Sequence, residues 1–328
     1  MTTHSNEDVL PTPPTAIVAM GGHAFIKPGE RGTYDDHTKN AREICQAMMV
    51  LIERGYRLVI THGNGPQVGD LMTRTEMSSS EVPRLPLDVL VAQTQGSLGY
   101  YLQRALINEM HARGLRRRFV TTMVTQVMVS PEDPAFDSPT KPVGPFMTQE
   151  AAERKQSKYG WNIVKDLNRG WRRVVPSPKP EKIVQADMIR EAVRSGNIVV
   201  AAGGGGIPVS LSPESGEYTG IEAVIDKDLT SSVLATDVDA ELLVILTAVD
   251  GVYLNFGEDD ERQLGAVTMA ECRRHIDAGH FPAGSMGPKV EAVYGFLRRG
   301  GRRGLITSAA KLRDALDGQA GTHFIGKI

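Results

Sequence analysis

Three lysines stand in sequence contexts that could fix their ammonium groups beside an anionic ligand. Each has rigid or charged neighbours: Lys141 in Pro139-Thr140-Lys141-Pro142, Lys227 in Asp226-Lys227-Asp228, and Lys289 in Ser285-Met286-Gly287-Pro288-Lys289. A lone lysine is more often a solvated surface charge, and Asp226 and Asp228 could equally cap a helix that begins there. If the three ammonium groups meet, they could stabilise the charge that spreads over phosphoryl oxygens during a transfer reaction.

Three glycine clusters could supply the other half of an anion site. Each follows a short apolar run: Met20-Gly21-Gly22-His23, Thr61-His62-Gly63-Asn64-Gly65-Pro66 and Ala202-Gly203-Gly204-Gly205-Gly206. Without Cβ atoms, such turns let backbone N–H groups approach phosphate or carboxylate oxygens closely. Any one cluster could simply be a tight turn. Three clusters at the same end of one sheet favour anion binding.

The usual signatures of nucleotide and hydrolase sites are missing. The chain has no G-x-x-x-x-G-K-[ST] and no G-x-G-x-x-G between a strand and a helix, and it lacks H-E-x-x-H, C-x-x-C and G-x-S-x-G. These absences argue against a P-loop, a simple dinucleotide-binding fold, and the commoner zinc and serine-hydrolase sites. Phosphoryl transfer can still be built from fixed cations, N–H donors and Mg²⁺.

The elements that must position these groups alternate between strands and helices. Short runs rich in Val, Ile and Leu predict buried strands at 16–20, 57–61, 119–129, 197–202, 222–225, 242–247 and 305–307. Helical stripes lie between them, and several predicted helices end in a glycine that could close the helix: Gly55, Gly114, Gly196, Gly300 and Gly318. This βαβα pattern predicts an α/β fold with a mostly parallel sheet, helices on both faces, and ligands beyond the carboxyl ends of the strands.

Length and composition bound the function. At 328 residues the chain suits two lobes better than one small core, and a formal net charge of -2 gives no global field for nucleic acid or an anionic membrane. Cys45 and Cys272 lack a second thiol at metal-ligand spacing, which favours a reducing, cytoplasmic setting. No apolar run is long enough for a membrane span. Residues 1–15 are expected to be a disordered extension, and the proline-rich stretch 130–180 is either a flap or an inert surface loop.

Together these segments resemble the carbamate kinases of the amino acid kinase family, from Ala16 to Thr322. The matching segments occur in the same order as in that family: 21–22, 62–69, 94–100, 139–146, 171–178, 203–209, 222–228, 246–250 and 284–289. The resemblance implies a three-layer αβα sandwich around one central sheet. It implies an acceptor-binding lobe over 16–214 with a flap subdomain at about 130–180, and an ATP-binding lobe over 215–328.

The same resemblance implies an activity and its partners. ATP and carbamate would exchange a phosphoryl group reversibly, giving ADP and carbamoyl phosphate, and the usual metabolic use would be ATP formation during arginine breakdown. Mg²⁺ would be held mainly by the ATP phosphates, with no protein metal site. A cytoplasmic homodimer that binds neither nucleic acid nor membrane is expected.

Residue roles follow from the matching positions. Lys141, Lys227 and Lys289 would stabilise the transition state, with Asp226 orienting the lysines. The acceptor and the transferring phosphoryl group would contact the glycine turns, through Gly21, Gly22, His23, Gly63, Asn64, Gly65, Gly203 and Gly204. The ATP side would consist of Asp228, Leu246, Thr247, Ala248, Val249, Asp250, Tyr253, Met286 and Pro288.

One departure from the family pattern lies on the acceptor side. His23 stands where carbamate kinases typically carry asparagine after the two glycines. An imidazole nitrogen could replace the amide's hydrogen bond, or the change could indicate a different small carboxylate or carbamate-like acceptor. A third possibility is a non-catalytic nucleotide-binding regulator, although the three retained lysines argue against it.

Overall fold

A computed structural model describes residues 13–166, 169–282 and 285–326 of the chain. Residues 1–12 of the predicted extension 1–15 lie outside the described residues. Thr15, at the end of that range, already belongs to the first strand. Within the described ranges the strands are β1 Thr15–Met20, β2 Arg57–His62, β3 Val120–Thr122, β4 Gln126–Met128, β5 Lys141–Met147, β6 Asn162–Asp166, β7 Gly170–Val175, β8 Lys182–Ile183, β9 Ile198–Val200, β10 Ile207–Leu211, β11 Tyr218–Gly220, β12 Leu242–Thr247, β13 Tyr253–Leu254, β14 Arg262–Gln263, β15 Ala266–Thr268, β16 Arg303–Ser308 and β17 Thr322–Ile325.

The helices connect these strands. Within the same ranges they are α1 Tyr34–Glu53, α2 Gly65–Met77, α3 Leu87–Ala112, α4 Gln149–Tyr159, α5 Ala186–Arg194, α6 Lys227–Asp237, α7 Met269–Asp277, α8 Gly287–Arg298 and α9 Leu312–Leu316. Short 3₁₀ turns occur at Gly22–Ala24, Pro134–Phe136 and Gly203–Gly205. Across the described residues, none of the helices combines the length and the apolar character that crossing a bilayer requires.

In the part of the chain that the structure describes, the main sheet has eight strands in the order β15-β17-β16-β12-β1-β2-β9-β3. Its pairs are parallel except for β16 with β17. β1 is fully buried and pairs with β12 on one side and β2 on the other, as expected for a strand covered by helices on both faces. The predicted α/β sandwich with a mostly parallel central sheet is confirmed.

This strand order brings the three glycine turns to one edge. Met20, at the end of β1, is aligned with His62 at the end of β2, and Ile60 in β2 is aligned with Val200 at the end of β9. The turns that follow these three neighbouring strands therefore leave the sheet side by side. The expected ligand edge of the sheet is the edge that collects them.

The stretch 130–180 contains a small subdomain of its own. β5, β7 and β6 form a three-stranded antiparallel sheet, with α4 packed against it. We call residues 141–175, apart from 167–168, the flap. It lies on α2, where Gly69 and Gly144 pass so closely that a Cβ added at Gly69 would be 3.1 Å from the Gly144 Cα.

Two predicted strands were wrong in detail. The run 119–129 is divided into β3 and β4, which belong to different sheets. Between them the Thr125 N–H donates to the Gln95 side chain at 2.7 Å instead of to a neighbouring strand. The run 222–225 is not a strand. Its Ala223 and Ile225 are buried, but the segment leads directly into α6.

The predicted helix-closing glycines are confirmed. Gly55, Gly114, Gly196, Gly300 and Gly318 have φ values of 84°, 75°, 86°, 97° and 78°. These lie in the left-handed region, where a side chain would be strained.

Candidate active site

The first two glycine turns pack directly against each other. A Cβ added at Gly63 would lie 2.6 Å from the Gly22 nitrogen, and one added at Gly22 would lie 3.1 Å from the Gly65 nitrogen. Gly65 begins α2, so its amide lies in the first turn of a helix, where N–H groups have no carbonyl one turn earlier to bond. The paired turns thus bring backbone N–H groups close together at the end of β1 and β2, an arrangement that suits an anion.

The third turn is folded beneath the second. Ala202, Gly204, Gly205 and Gly206 have φ values of 50°, 70°, 90° and 89°, a run that only glycine-rich sequence adopts readily. A Cβ at Gly204 would overlap the side-chain amide of Asn64. The Asn64 side chain therefore packs directly against Gly204, a position that has room only for glycine.

Helix α3 fixes these turns by two buried hydrogen bonds. Asn64 Nδ2 donates to Thr94 Oγ1 at 2.8 Å, and Gln95 Nε2 donates to the Gly203 carbonyl at 3.0 Å. In the sequence, Thr94 and Gln95 are marked only by belonging to the matching segment 94–100. Their supporting role depends on where α3 crosses the turns, which no local pattern in the sequence indicates.

The three predicted lysines meet on two carboxylates. Lys141 Nζ lies 2.9 Å from Asp226 Oδ2, Lys227 Nζ lies 2.5 Å from Asp228 Oδ1, and Lys289 Nζ lies 3.2 Å from Asp228 Oδ2. The side chains are mostly buried, with exposures of 34%, 14% and 19% for the lysines. Because three cations share two anions, this lysine cluster keeps one positive charge in excess, which suits an incoming phosphate.

Each carboxylate of the lysine cluster has a different arrangement. Asp226 caps α6 by accepting hydrogen bonds from the Asp228 and Leu229 N–H groups on Oδ1, and it receives Lys141 on Oδ2. Asp228 is the carboxylate that lies between two ammonium groups. The sequence assigned that position to Asp226 and assigned Asp228 to the ATP side, so the geometry makes Asp228 the better candidate for holding two lysines.

The pKa of Asp226 reflects this setting. Burial by itself raises the pKa of the carboxyl, but the charge and hydrogen bond of Lys141, the charge of Lys227 and the Asp228 N–H together hold it below its ordinary value of 3.8. Asp226 is therefore ionised at neutral pH and holds Lys141 as a carboxylate.

His62 lies behind the second glycine turn and was not predicted as a site residue. It is 1% exposed, its Nδ1 lies 3.0 Å from the Gly63 carbonyl, and its ring packs edge-on against Phe25. Burial lowers the pKa of His62 to about 4, the Lys227 charge acts in the same direction, and the bond to Gly63 opposes them. The imidazole is neutral at physiological pH and donates from Nδ1 to the turn.

We expect His62 to make stability pH-dependent. Below its ordinary pKa of 6.5 the imidazole gains a proton in the unfolded chain, but in the folded chain it stays neutral until pH is near 4. The free energy of unfolding should therefore decrease as pH falls, with His62 contributing a loss of about 2.5 kcal/mol between pH 7 and 4.5. Urea unfolding of the parent and of His62→Gln at both pH values measures this loss. An equal loss in both proteins would contradict the assignment, and His111→Gln, at an exposed position of α3, is the matched control.

The residues predicted for the nucleotide lie along the end of β12 and the start of α8. Ala248 and Asp250 are exposed, Asp250 accepts a hydrogen bond from the Ser308 hydroxyl at 2.6 Å, and Tyr253 is partly exposed. Met286 immediately precedes α8, and Pro288 lies in its first turn, next to Lys289. The Leu246 side chain is buried in the core, so a nucleotide could contact only its backbone.

The backbone at His23 belongs to the short 3₁₀ turn after β1, and its side chain lies outside what the structure describes. Gly284, part of the last matching segment, also lies outside the described residues.

The chain is similar to known proteins over nearly its whole length. The sequence signature of the amino acid kinase family matches residues 14–308. The carbamate kinase of Pyrococcus horikoshii is 46% identical over 313 residues, which cover 95% of this chain and 99% of that protein. The carbamate kinase of Staphylococcus haemolyticus is 44% identical, over 93% of this chain and 97% of that protein.

A solved structure agrees with these sequence matches. The carbamate kinase of Giardia lamblia bound to AMP-PNP superposes with a TM-score of 0.89 at 38% identity, over 96% of this chain and 99% of the other. With its glycine turns, lysine cluster and near-complete sequence match, the chain belongs to the amino acid kinase family and, within it, to the carbamate kinases.

Proposed function

We propose that this protein catalyses the reversible transfer of a phosphoryl group between MgATP and carbamate, giving MgADP and carbamoyl phosphate. The observation that carries the proposal is the convergence of Lys141, Lys227 and Lys289 on two carboxylates. The carbamate kinases that match nearly the whole chain support the choice of acceptor.

The lysine cluster and the glycine turns would divide the work of catalysis. Backbone N–H groups of Gly21, Gly22, Asn64 and Gly65 would hold the acceptor and the oxygens of the transferring phosphoryl group, with Gly203 and Gly204 forming the floor. Gly63 would lie against the ligand without donating to it, because its N–H donates to the Met20 carbonyl at 2.8 Å. Lys141, Lys227 and Lys289 would stabilise the charge of the transition state. Carbamate is already an anionic nucleophile, so the transfer needs no side chain to take a proton from it.

The nucleotide would bind on the other side of the lysine cluster. In this proposal residues 215–328 form the nucleotide lobe, residues 16–214 form the acceptor lobe, and the ends of β12 and α8 contact the adenosine. Mg²⁺ would enter with the nucleotide and be held mainly by its phosphates. The ATP-forming direction would suit the breakdown of arginine.

The direct test is ATP formation. Purified protein is mixed with ADP, carbamoyl phosphate and Mg²⁺, and ATP is measured with luciferase. We expect ATP to accumulate well above the level given by Lys227→Ala. Equal, background levels from both proteins would refute the proposal.

A different acceptor is the alternative that His23 raised, and the matches to carbamate kinases do not favour it. We expect His23→Asn to leave turnover of carbamoyl phosphate within about twofold of the parent, since an imidazole and an amide both offer an N–H donor. A sharp rise in that turnover, with a parent protein that prefers another carboxylate, would reinstate the alternative.

The free edge of the main sheet supports a homodimer in the same proposal. Among the described residues β3 is the last strand at that edge, and the neighbouring Phe119, Val124 and Tyr100 are 71%, 56% and 54% exposed. An unpaired edge flanked by apolar side chains is a surface that proteins usually cover. Light scattering should give twice the mass of one chain, and the mass of a single chain would contradict the assembly.

A further inference from the structure

Arg173 joins the flap to the body of the protein. It lies on β7 and is buried, its Nη2 donates to Glu222 Oε1 at 2.6 Å, and its guanidinium carbon lies 4.5 Å from the centre of the Trp161 ring. Trp161 belongs to the flap, whereas Glu222 belongs to the segment that leads into α6. The guanidinium is thus fixed between an aromatic face on its own subdomain and a carboxylate on the body.

The Arg173–Glu222 pair and the Lys141–Asp226 pair both join the flap to the segment 222–226. Lys141 is aligned with Val175, and Val143 with Arg173, in the β5 and β7 pair, so Arg173 lies two residues along from Lys141 in the register. Glu222 precedes Asp226 by four residues. Between the two ion pairs, the Val224 N–H donates to the Pro176 carbonyl at 3.0 Å. Two ion pairs from the flap, and between them one hydrogen bond from Pro176 immediately after it, therefore connect this region to the segment 222–226. The Lys141–Asp226 pair is the one at the active site.

Placing Lys141 needs more than its bond to Asp226. A lysine side chain is flexible and loses entropy when it is held, so the position of its backbone decides how often the ammonium group is in place. Lys141 is the member of the lysine cluster that comes from the flap. A shift of about 1 Å in a group that contacts the reacting atoms can cost roughly a hundredfold in rate.

We propose that Arg173 and Glu222 are positioning residues for phosphoryl transfer: their ion pair holds the flap at the distance from which Lys141 reaches Asp226 and the transferring phosphoryl group. This inference rests on the proposed function. It assigns the pair a role in catalysis. Glu222 is 55% exposed, so its carboxylate adds little to the stability of the fold, and the buried Arg173 keeps its contact with Trp161 when Glu222 is changed.

The first experiment separates kcat from KM. Glu222→Gln and Arg173→Lys should lower kcat roughly tenfold or more, because Lys141 is misplaced. The KM for ADP should stay within about twofold, since the nucleotide side contains neither residue. Glu150→Gln and Arg154→Lys are matched controls, because these residues form an exposed ion pair within α4 of the flap. The control variants should keep the kcat of the parent.

The second experiment asks whether the effect passes through Lys141. The rate of ATP formation is measured for Lys141→Ala and for the double variant Lys141→Ala/Glu222→Gln. Long incubations let enough ATP accumulate to compare these slow enzymes. In the Lys141→Ala background the second change should alter the rate by less than about twofold, because the group that it positions is gone. The inference is overturned if Glu222→Gln leaves kcat unchanged, or if it costs the same factor in both backgrounds. A parent protein without ATP-forming activity would refute the proposed function instead.

Discussion

Lys227→Ala is expected to lower kcat for ATP formation from carbamoyl phosphate by about a thousandfold, the upper end of what removal of one preorganised charge donor costs. Lys227 is 14% exposed and lies 2.5 Å from Asp228, so its ammonium group is fixed before substrate arrives. Its loss removes the one positive charge by which the lysine cluster exceeds its carboxylates. The phosphoryl group would then transfer in a site without net attraction for it. Steady-state rates with luciferase detection measure the change.

The control for this prediction is an exposed lysine with its own acidic partner. Lys311→Ala removes a lysine that lies 3.4 Å from Asp314 at the surface, and it should leave kcat unchanged. Circular dichroism melting shows whether the Lys227→Ala chain is still folded. A folded variant that keeps a tenth or more of the parent activity would show that Lys227 does not stabilise the transition state.

Gly63→Ala should disrupt the acceptor side of the site. The new Cβ would lie 2.6 Å from the Gly22 nitrogen and 3.3 Å from both the Gly22 Cα and the Lys227 Cδ. Two of these neighbours are backbone atoms, which cannot rotate away, so the two turns must separate. We expect kcat to fall by roughly a hundredfold through misplaced N–H groups, with about 1 to 3 kcal/mol lost from the free energy of unfolding. Kinetics and urea unfolding measure the two effects.

Two other glycines separate steric disruption from ligand contact. A Cβ at Gly65, in the same turn, or at Gly96, on α3, would meet nothing within 4 Å. Neither Gly65→Ala nor Gly96→Ala should lower the free energy of unfolding, and Gly96→Ala, in the middle of α3, should raise it by up to about 1 kcal/mol. A higher KM for carbamoyl phosphate in Gly65→Ala alone would indicate that the acceptor lies over that residue. If Gly63→Ala behaves like Gly96→Ala, the close approach of the turns is not required for activity.

Much of the frame could be predicted because it depends on local physics. The glycines that close helices, such as Gly55 and Gly196, are recognisable since only glycine adopts a left-handed backbone without strain. Buried parallel strands such as 242–247 are continuous apolar runs, and this one was predicted with its bounds. The three glycine turns followed from the same logic, because the carboxyl ends of neighbouring parallel strands share one edge.

The remaining features depend on contacts between distant segments. Nothing local distinguishes Asp226 from Asp228, since both flank Lys227; which one receives Lys289 depends on how α8 packs on α6. At the break between β3 and β4, the Thr125 N–H donates to Gln95, thirty residues earlier in the chain. The sequence does not indicate a role for His62, because a histidine at a strand end carries no signal that it is buried. The role of Arg173 required the register between β5 and β7.

The two oxygens of Asp226 have separate partners. This division determines whether the carboxylate must reorient in each catalytic cycle. Oδ1 is occupied by the first amides of α6, whereas only Oδ2 receives the lysine of the flap. If Lys141 withdraws when products leave, the carboxylate keeps its orientation, because the helix still holds it. The returning lysine then meets a target that has not rearranged. A reversible reaction benefits from a carboxylate that is already oriented, since it is ready for Lys141 whichever pair of substrates binds.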